Sequence, residues 1–287
     1  MRIVIIGSNG QLGTDLVKVL RGEHEVVGLG HHEIEVADYA SCLRLKEHHP
    51  NIIINTAAFH KTDQCEEEPL KTFSVNTIGA RNITKISAEI EATNVFISTD
   101  YVFDGSKNKP YGEKDVPNPI NTYGISKLAG ELYTKQNPKH YTVRVASLFG
   151  TAGASGKGGN FVETMIAKAK KNEPISVVDD IWMSPTYTRD AATTIRNVIQ
   201  AKLPYGTYHA TNKGYCTWFQ FAKEILRLAD LKATLTPTKA SQSQTKAPRP
   251  SFSALKSIKL PKHGMQMRDW RKALLDYLAE KGHRTHL

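Results

Sequence analysis

Residues 3–6 read Ile-Val-Ile-Ile, and positions 11–20 follow with Leu12, Leu16 and Leu20 four apart. The first pattern predicts a buried strand and the second an amphipathic helix, separated by a short turn. The alternation continues. Short runs rich in Ile and Val at 25–29, 51–55, 95–98 and 142–145 predict strands, and helical spacing over 39–48, 70–91 and 123–136 predicts helices between them. Strands with consecutive apolar positions, each followed by a helix, indicate a parallel sheet covered on both faces. Right-handed crossovers then give an α/β, doubly wound fold.

The rhythm breaks after about residue 146. Four glycines in 151–160 predict a flexible loop. A strand at 175–178, a helix at 188–200, a strand near 206–210 and a helix at 217–229 capped by Thr217 follow. The polar stretch 236–249, with Pro237 and Pro248, predicts a mobile loop, and a last helix is expected over 269–281. We therefore expect a dinucleotide-binding domain from 1–145 and 187–205. A smaller C-terminal substrate-binding lobe, 146–186 and 206–287, closes over the C-terminal ends of the strands.

Composition narrows the class. The chain has 287 residues, 40% hydrophobic and 23% charged, as expected for a globular protein. No apolar run approaches the ~20 residues that span a bilayer, and the chain enters its first strand without a leader-like segment. Cys42, Cys65 and Cys216 are scattered and odd in number, which suits reduced thiols in the cytoplasm. The formal charge is +10, but the lysines are dispersed. We expect neither nucleic acid nor membrane as a partner. A basic surface would favour an anionic small molecule such as a nucleotide sugar.

Two motifs carry candidate chemistry. The first is Gly7-Ser8-Asn9-Gly10-Gln11-Leu12-Gly13 between the first strand and helix. Gly7 permits the tight turn, Gly10 lets backbone approach a pyrophosphate, and Gly13 lets helix and strand pack closely. The helix N-terminus presents free N–H groups to phosphates. The second strand ends in Gly30-His31-His32, with no acid to hold both ribose hydroxyls. That absence, and two histidines able to donate, favours NADPH, with NADH also acceptable. The histidines lack carboxylate or cysteine partners at ligand spacing, so no metal site is expected.

The second motif is Tyr123-Gly-Ile-Ser-Lys127, downstream of Ser98-Thr99. Tyr123 and Lys127 are i and i+4, on one helix face. An ammonium there would lower the phenol from its usual pKa near 10, and the helix dipole would help. Thr99, at a strand end, could point its hydroxyl at a substrate oxygen. Thr99, Tyr123 and Lys127 are thus the candidate catalytic residues.

With these residues in view, the chain resembles the extended short-chain dehydrogenase/reductase family, in its dTDP-4-dehydrorhamnose reductase branch. The likeness spans nearly the whole chain. It rests on the glycine turn, Asn55-Thr56-Ala57-Ala58, Asp63-Gln64, Val75-Asn76, Ser98–Phe103, Tyr123–Glu131, Gly159-Asn160-Phe161, Ser184–Tyr187 and Arg249-Pro250. The resemblance implies hydride delivery to C4 of a nucleotide-linked 4-keto-6-deoxy sugar and protonation by Tyr123, for surface polysaccharide synthesis. It implies that Glu35 and Val36 line the adenine side, and that Ala57, Ala58, Asn76 and Ser98 border the cofactor. It puts His60, Thr62, Thr99, Tyr101, Ser147, Asn160, Phe161 and Arg249 beside the substrate, and a homodimer is compatible with it. The family's pattern fails where the sugar should sit. His60 and Thr62 replace Thr and Val, Ser147 stands where a tryptophan is usual, and Ile181 and Met183 replace Gln and Gly. The same chemistry on an altered sugar or nucleotide is the reading. The alternatives are an epimerase or dehydratase of the same superfamily, disfavoured by Tyr101 after Asp100, or a cofactor-binding regulatory subunit without turnover.

Overall fold

Successive side chains of a strand point to opposite faces, and β1 (Arg2–Ile6) shows the consequence. Ile3 and Ile5 pack into one core cluster, Val4 and Ile6 into another. The computed structural model describes residues 1–153, 159–242 and 244–284. In it β1 joins β2 (Glu25–Leu29), β3 (Ile52–Asn55), β4 (Thr93–Thr99), β5 (His140–Val145) and β6 (Gly206–His209) in one sheet. The order is β6–β5–β4–β3–β1–β2, with every pair parallel. The chain turns from β1 to β2 on one side and to β3 on the other. The resulting switch point lies between β1 and β3.

The helices that matter here are α1 (Gln11–Leu20), α2 (Gly79–Glu89), α3 (Thr122–Thr134), α4 (Phe161–Lys170), α5 (Thr188–Gln200), α6 (Trp218–Leu228) and α7 (Trp270–Glu280). α1 and α5 cover one sheet face through Leu12, Leu16, Ala191 and Ile195. α2 covers the other through Ile83 and Ile86. A separate core, built on Phe149, Phe221, Trp270 and Tyr277, holds α4, α6 and α7 together as the lobe. Among the described residues no helix is long and apolar enough to cross a membrane.

Four expectations change. Strand β6 lies in the central sheet beside β5, with Tyr208 opposite Val143, rather than in the lobe where residues from 206 onward were expected. Tyr208 packs into the sheet core, which a lobe position would not provide. The expected loop 236–249 begins with a strand, Leu235–Thr238, paired in parallel with Ile175–Val178. Leu235 packs on the lobe core, and Pro237 is tolerated because this ladder has only two strands. The helix expected over 70–91 is divided by a widened π turn, Ser74–Ile78. Such a turn inside a helix is common near functional sites, and here it presents Asn76 sideways. The helix expected over 39–48 is α-helical at Tyr39–Leu43 and tightens to a 3-10 turn at Arg44–His48. Residues 154–158 of the expected loop at 151–160 lie outside the described residues.

Candidate active site

The carboxyl ends of the strands open into a cleft of about 1020 Å³ that runs from the glycine turn to the lobe. At the switch point two positions of the turn, Gly7 and Gly13, leave no room for a side chain. Gly7 has φ +77, and a Cβ on it would lie 2.5 Å from Thr56 Oγ1. One on Gly13 would lie 2.1 Å from the Gly7 carbonyl oxygen. Thr56 donates its hydroxyl to the Ile6 carbonyl at 2.7 Å, which locks the ends of β1 and β3 together. Asn9, Gly10, Gln11 and Leu12 border the cleft, and Leu12 also packs into the sheet core. Gln11 Oε1 is buried with no hydrogen-bond partner among the described residues. A bare backbone cradle, a helix N-terminus and an unpaired amide oxygen fit a dinucleotide's phosphates and amide.

Gly30, His31, Glu35 and Val36 continue the cleft away from the turn. The end of β2 is less free of acid than its sequence suggests. Glu33 folds back so that its Oε2 accepts from the Gly30 amide at 2.7 Å. A carboxylate three residues on thus returns the negative charge that the strand end lacks. His31 Nδ1 stands 3.4 Å from Glu35 Oε2. Ala57 and Ala58 line the same wall after β3.

The middle of the cleft is set by the start of α3. Asn121 caps the helix by accepting from the Gly124 amide at 2.8 Å, and its Nδ2 donates to the Pro248 carbonyl at 2.9 Å. Glu66 accepts from the Thr122 amide at 2.8 Å and from its hydroxyl at 2.6 Å. Gly124 is required because a Cβ would lie 2.1 Å from the Tyr101 carbonyl oxygen. Held at both ends, the first turn places Tyr123 and Lys127 in the cleft wall beside Thr99.

The Tyr123 phenol and the Thr99 hydroxyl line the same stretch of the cleft wall, close enough for the hydroxyl to lower the phenol's pKa. Thr99 Oγ1 also donates to Asp100 Oδ1 at 3.0 Å and accepts from the Tyr101 amide at 3.1 Å. Asp100 is buried, and burial pushes its carboxyl up to about 6 against hydrogen bonds from Ser253 and Thr99. The spacing predicts that Lys127 lowers the phenol. Instead burial raises Tyr123, the Thr99 hydroxyl opposes this, and the Asp100 charge adds to it. Tyr123 keeps some exposed area, but its hydroxyl lies deep enough for desolvation to prevail. The same burial pulls Lys127 down to about 7, opposed by Glu131. The Lys127 Nζ sits 4.0 Å from the centre of the Phe96 ring. Burial thus favours the protonated phenol and lowers the amine's pKa.

Beneath these groups lies a buried ionic floor. Arg144 donates to Glu131 through Nε at 2.8 Å and Nη2 at 2.7 Å. Ser98 Oγ donates to Glu131 Oε1 at 2.6 Å. Ser98 lines the cleft, and its hydroxyl is engaged by Glu131. Arg144 Nη1 approaches His209 Nε2 at 3.5 Å, and His209 meets the Lys256 carbonyl at 3.0 Å. Glu131 stands four residues after Lys127 on the same helix, one turn along from it.

The lobe end gathers His60, Thr62, Tyr101, Ser147, Asn160 and Phe161 around the cleft. His60 Nδ1 lies 3.4 Å from the Ala58 carbonyl oxygen. Ser147 has φ +43, a region few residues other than glycine adopt. Asn160 caps α4 and donates through Nδ2 to the Gly150 carbonyl at 3.0 Å and to Tyr277 Oη at 2.9 Å. Both of its donors are therefore spent on the fold. Trp218, at the first turn of α6, also lines the cleft, its ring 4.7 Å from that of Phe161. Nothing in the local sequence connects Trp218 to the site, since helix packing alone brings it there.

Two expected site residues are not in the cleft lining. Asn76 is buried behind it, accepting from the Phe59 amide at 2.9 Å and donating to the Phe59 carbonyl and Ser126 Oγ, each at 3.0 Å. It ties the loop after β3 to α3 through Phe59 and Ser126. Arg249 forms a two-pronged pair with Asp63, both contacts at 3.0 Å. It fastens the segment before Pro250 to the loop that bears His60 and Thr62. Among the described residues no group of His, Cys, Asp and Glu could hold a metal ion.

A parallel doubly wound sheet with a glycine turn at its switch point defines a Rossmann-type dinucleotide-binding protein. The chain belongs to the RmlD substrate binding domain family, whose model matches residues 1–282. It is 36% identical over 283 residues to the spore coat polysaccharide biosynthesis protein SpsK of Bacillus subtilis, covering 98% of each chain. It is 33% identical over 292 residues to a dTDP-4-dehydrorhamnose reductase of Aggregatibacter actinomycetemcomitans, covering 95% of this chain and 97% of that one. A solved dTDP-4-dehydrorhamnose reductase of Bacillus anthracis, in complex with NADP, superposes with a TM-score of 0.92 at 38% identity. That match covers 97% of this chain and 99% of the other.

Proposed function

We propose that this protein uses NADPH to reduce the C4 ketone of a nucleotide-linked 4-keto-6-deoxy sugar. The substrate is dTDP-4-dehydro-L-rhamnose or a close analogue, and the product dTDP-L-rhamnose serves polysaccharide synthesis. The observation that carries this is the convergence of Thr99, Tyr123 and Lys127 on the cleft that begins at the glycine turn. The names of the relatives agree with it. Bound along the turn, the reduced dinucleotide supplies a hydride to the carbonyl carbon.

The protein's own groups do the rest. Tyr123 gives its proton to the carbonyl oxygen as the C4–H bond forms, so the ketone becomes an alcohol. Thr99 positions the phenol and is itself held by Asp100 and the Tyr101 amide. Lys127 stands one helical turn away and stabilises the phenolate left behind. Asp100 is occupied by Ser253 and Thr99, which disfavours a role as a dehydratase acid.

The test is NADPH consumption, followed by absorbance, against a panel of nucleotide-linked 4-keto-6-deoxy sugars led by dTDP-4-dehydro-L-rhamnose. Oxidation with one or more of them supports the reading. Tight NADPH binding with no turnover on any would instead favour the regulatory subunit.

A further inference from the structure

We infer that Ser253 is a positioning residue for the proposed reduction, holding the Asp100 carboxylate so that Asp100 in turn fixes the Thr99 hydroxyl. The inference rests on the reductase reading of the cleft. Ser253 belongs to a strap, residues 247–255, that joins the lobe to the walls of the cleft. On the lobe side the Trp182 amide donates to the Ser251 carbonyl at 2.8 Å and the Ser253 amide to the Trp182 carbonyl at 2.9 Å. The Leu255 amide donates to Ser184 Oγ at 3.1 Å. On the other side the Ala247 amide and Arg249 hold Asp63, and Asn121 at the start of α3 donates to the Pro248 carbonyl. The strap also leaves no room at Gly105, where a Cβ would lie 2.8 Å from the Ser251 amide nitrogen.

Paired in this way, the strap sends one hydroxyl to the catalytic end of β4. Ser253 is buried, and its Oγ donates to Asp100 Oδ2. The other carboxylate oxygen, Oδ1, accepts from Thr99 Oγ1 at 3.0 Å. With a hydroxyl on each oxygen, the carboxylate cannot turn without breaking one of the two bonds. Burial favours the neutral acid, and both hydrogen bonds oppose it. The consequence falls on Thr99, which lines the cleft beside Tyr123. A hydroxyl has one proton to give and two lone pairs to fill. The Thr99 proton goes to Asp100 and one lone pair takes the Tyr101 amide. The direction of the remaining lone pair is thereby set. Without Ser253, the buried Oδ2 loses its donor and the acid gains a proton more easily. A protonated Asp100 would donate to Thr99 instead of accepting from it, and the hydroxyl would turn.

The test compares the wild-type protein, Ser253→Ala, Ser253→Cys, Asp100→Asn and the double variant Ser253→Ala/Asp100→Asn in NADPH-dependent reduction of the sugar nucleotide that the wild-type protein turns over. Ser253→Ala should lower kcat about tenfold, the usual worth of a hydrogen bond to a charged group. KM for the sugar and NADPH affinity by fluorescence titration should stay within about twofold, because Ser253 is not in the cleft lining. Ser253→Cys, close in shape but a weak donor, should show the same loss, and it carries the test if Ser253→Ala fails to fold. On top of Asp100→Asn, Ser253→Ala should cost less than about twofold more, since the two residues act in one chain of contacts. A kcat unchanged in both Ser253 variants, or a tenfold loss that persists beside Asp100→Asn, overturns the inference. A wild-type protein that reduces none of the sugars overturns the reductase reading and the inference with it, which is a different result from active Ser253 variants of an active enzyme.

Discussion

At the nucleotide end of the cleft, the surface is built around the glycine turn at three adjoining strand ends, β1, β2 and β3. At the sugar end it is side chains on segments far apart in the chain, such as His60, Ser147, Phe161 and Trp218. The first arrangement depends on what is missing, namely the Cβ atoms of Gly7 and Gly13. The second depends on which side chains the lobe delivers. A backbone cradle binds whatever carries phosphates, whereas a wall of side chains can change with the sugar. Of the departures from the family pattern, His60, Thr62 and Ser147 fall at the second end, whereas Ile181 and Met183 are buried outside the cleft lining, Met183 in the lobe core.

Tyr123 sits where the two ends meet, and its removal should have the largest effect. Tyr123→Phe should lower kcat by about 10²–10⁴-fold, the usual worth of a positioned acid. NADPH affinity should hold, because the cradle is untouched; full activity in the variant would remove Tyr123 as the acid. Next is the floor beneath both ends. Glu131→Gln leaves Arg144 buried with its charge unmatched, and should cost about 3–5 kcal/mol in denaturant unfolding. A loss below about 1 kcal/mol would mean that water or another group takes over the guanidinium.

At the cradle, Gly13→Ala forces a methyl to 2.1 Å from the Gly7 carbonyl oxygen. The resulting overpacking should cost about 1–3 kcal/mol, and NADPH affinity should fall with it. Normal cofactor binding in a stable variant would break the contrast between the two ends. The smallest effect is expected at the lobe clasp. Arg249 and Asp63 are partly exposed, with side-chain exposures of 20% and 43%. Arg249→Gln should cost at most about 1 kcal/mol of stability and raise KM for the sugar nucleotide while leaving kcat nearly unchanged. A fall in kcat with constant KM would place Arg249 in the chemistry after all.

Legibility followed range. The Gly7–Gly13 turn and the Tyr123–Lys127 pair were readable because each is set within seven residues, by local steric rules and by the helical repeat. The strands were readable from their apolar runs. Asn76 and Arg249 lie outside the cleft lining for the opposite reason. Their partners are Phe59, Ser126 and Asp63, up to 186 residues away. Trp218 and the tie between Arg144 and Glu131 were missed on the same ground, although the four-residue step from Lys127 to Glu131 was available as a signal.

By itself, the chain determined the alternation of strands and helices, the place of the glycine turn and the shared face of Tyr123 and Lys127, since neighbouring residues suffice for each. Only the tertiary structure decided that Gly206–His209 completes the central sheet, that burial raises Tyr123 and lowers Lys127, and that Glu33 fills the Gly30 amide. Pairing, desolvation and side-chain closure depend on what packs across space, and no local pattern records that.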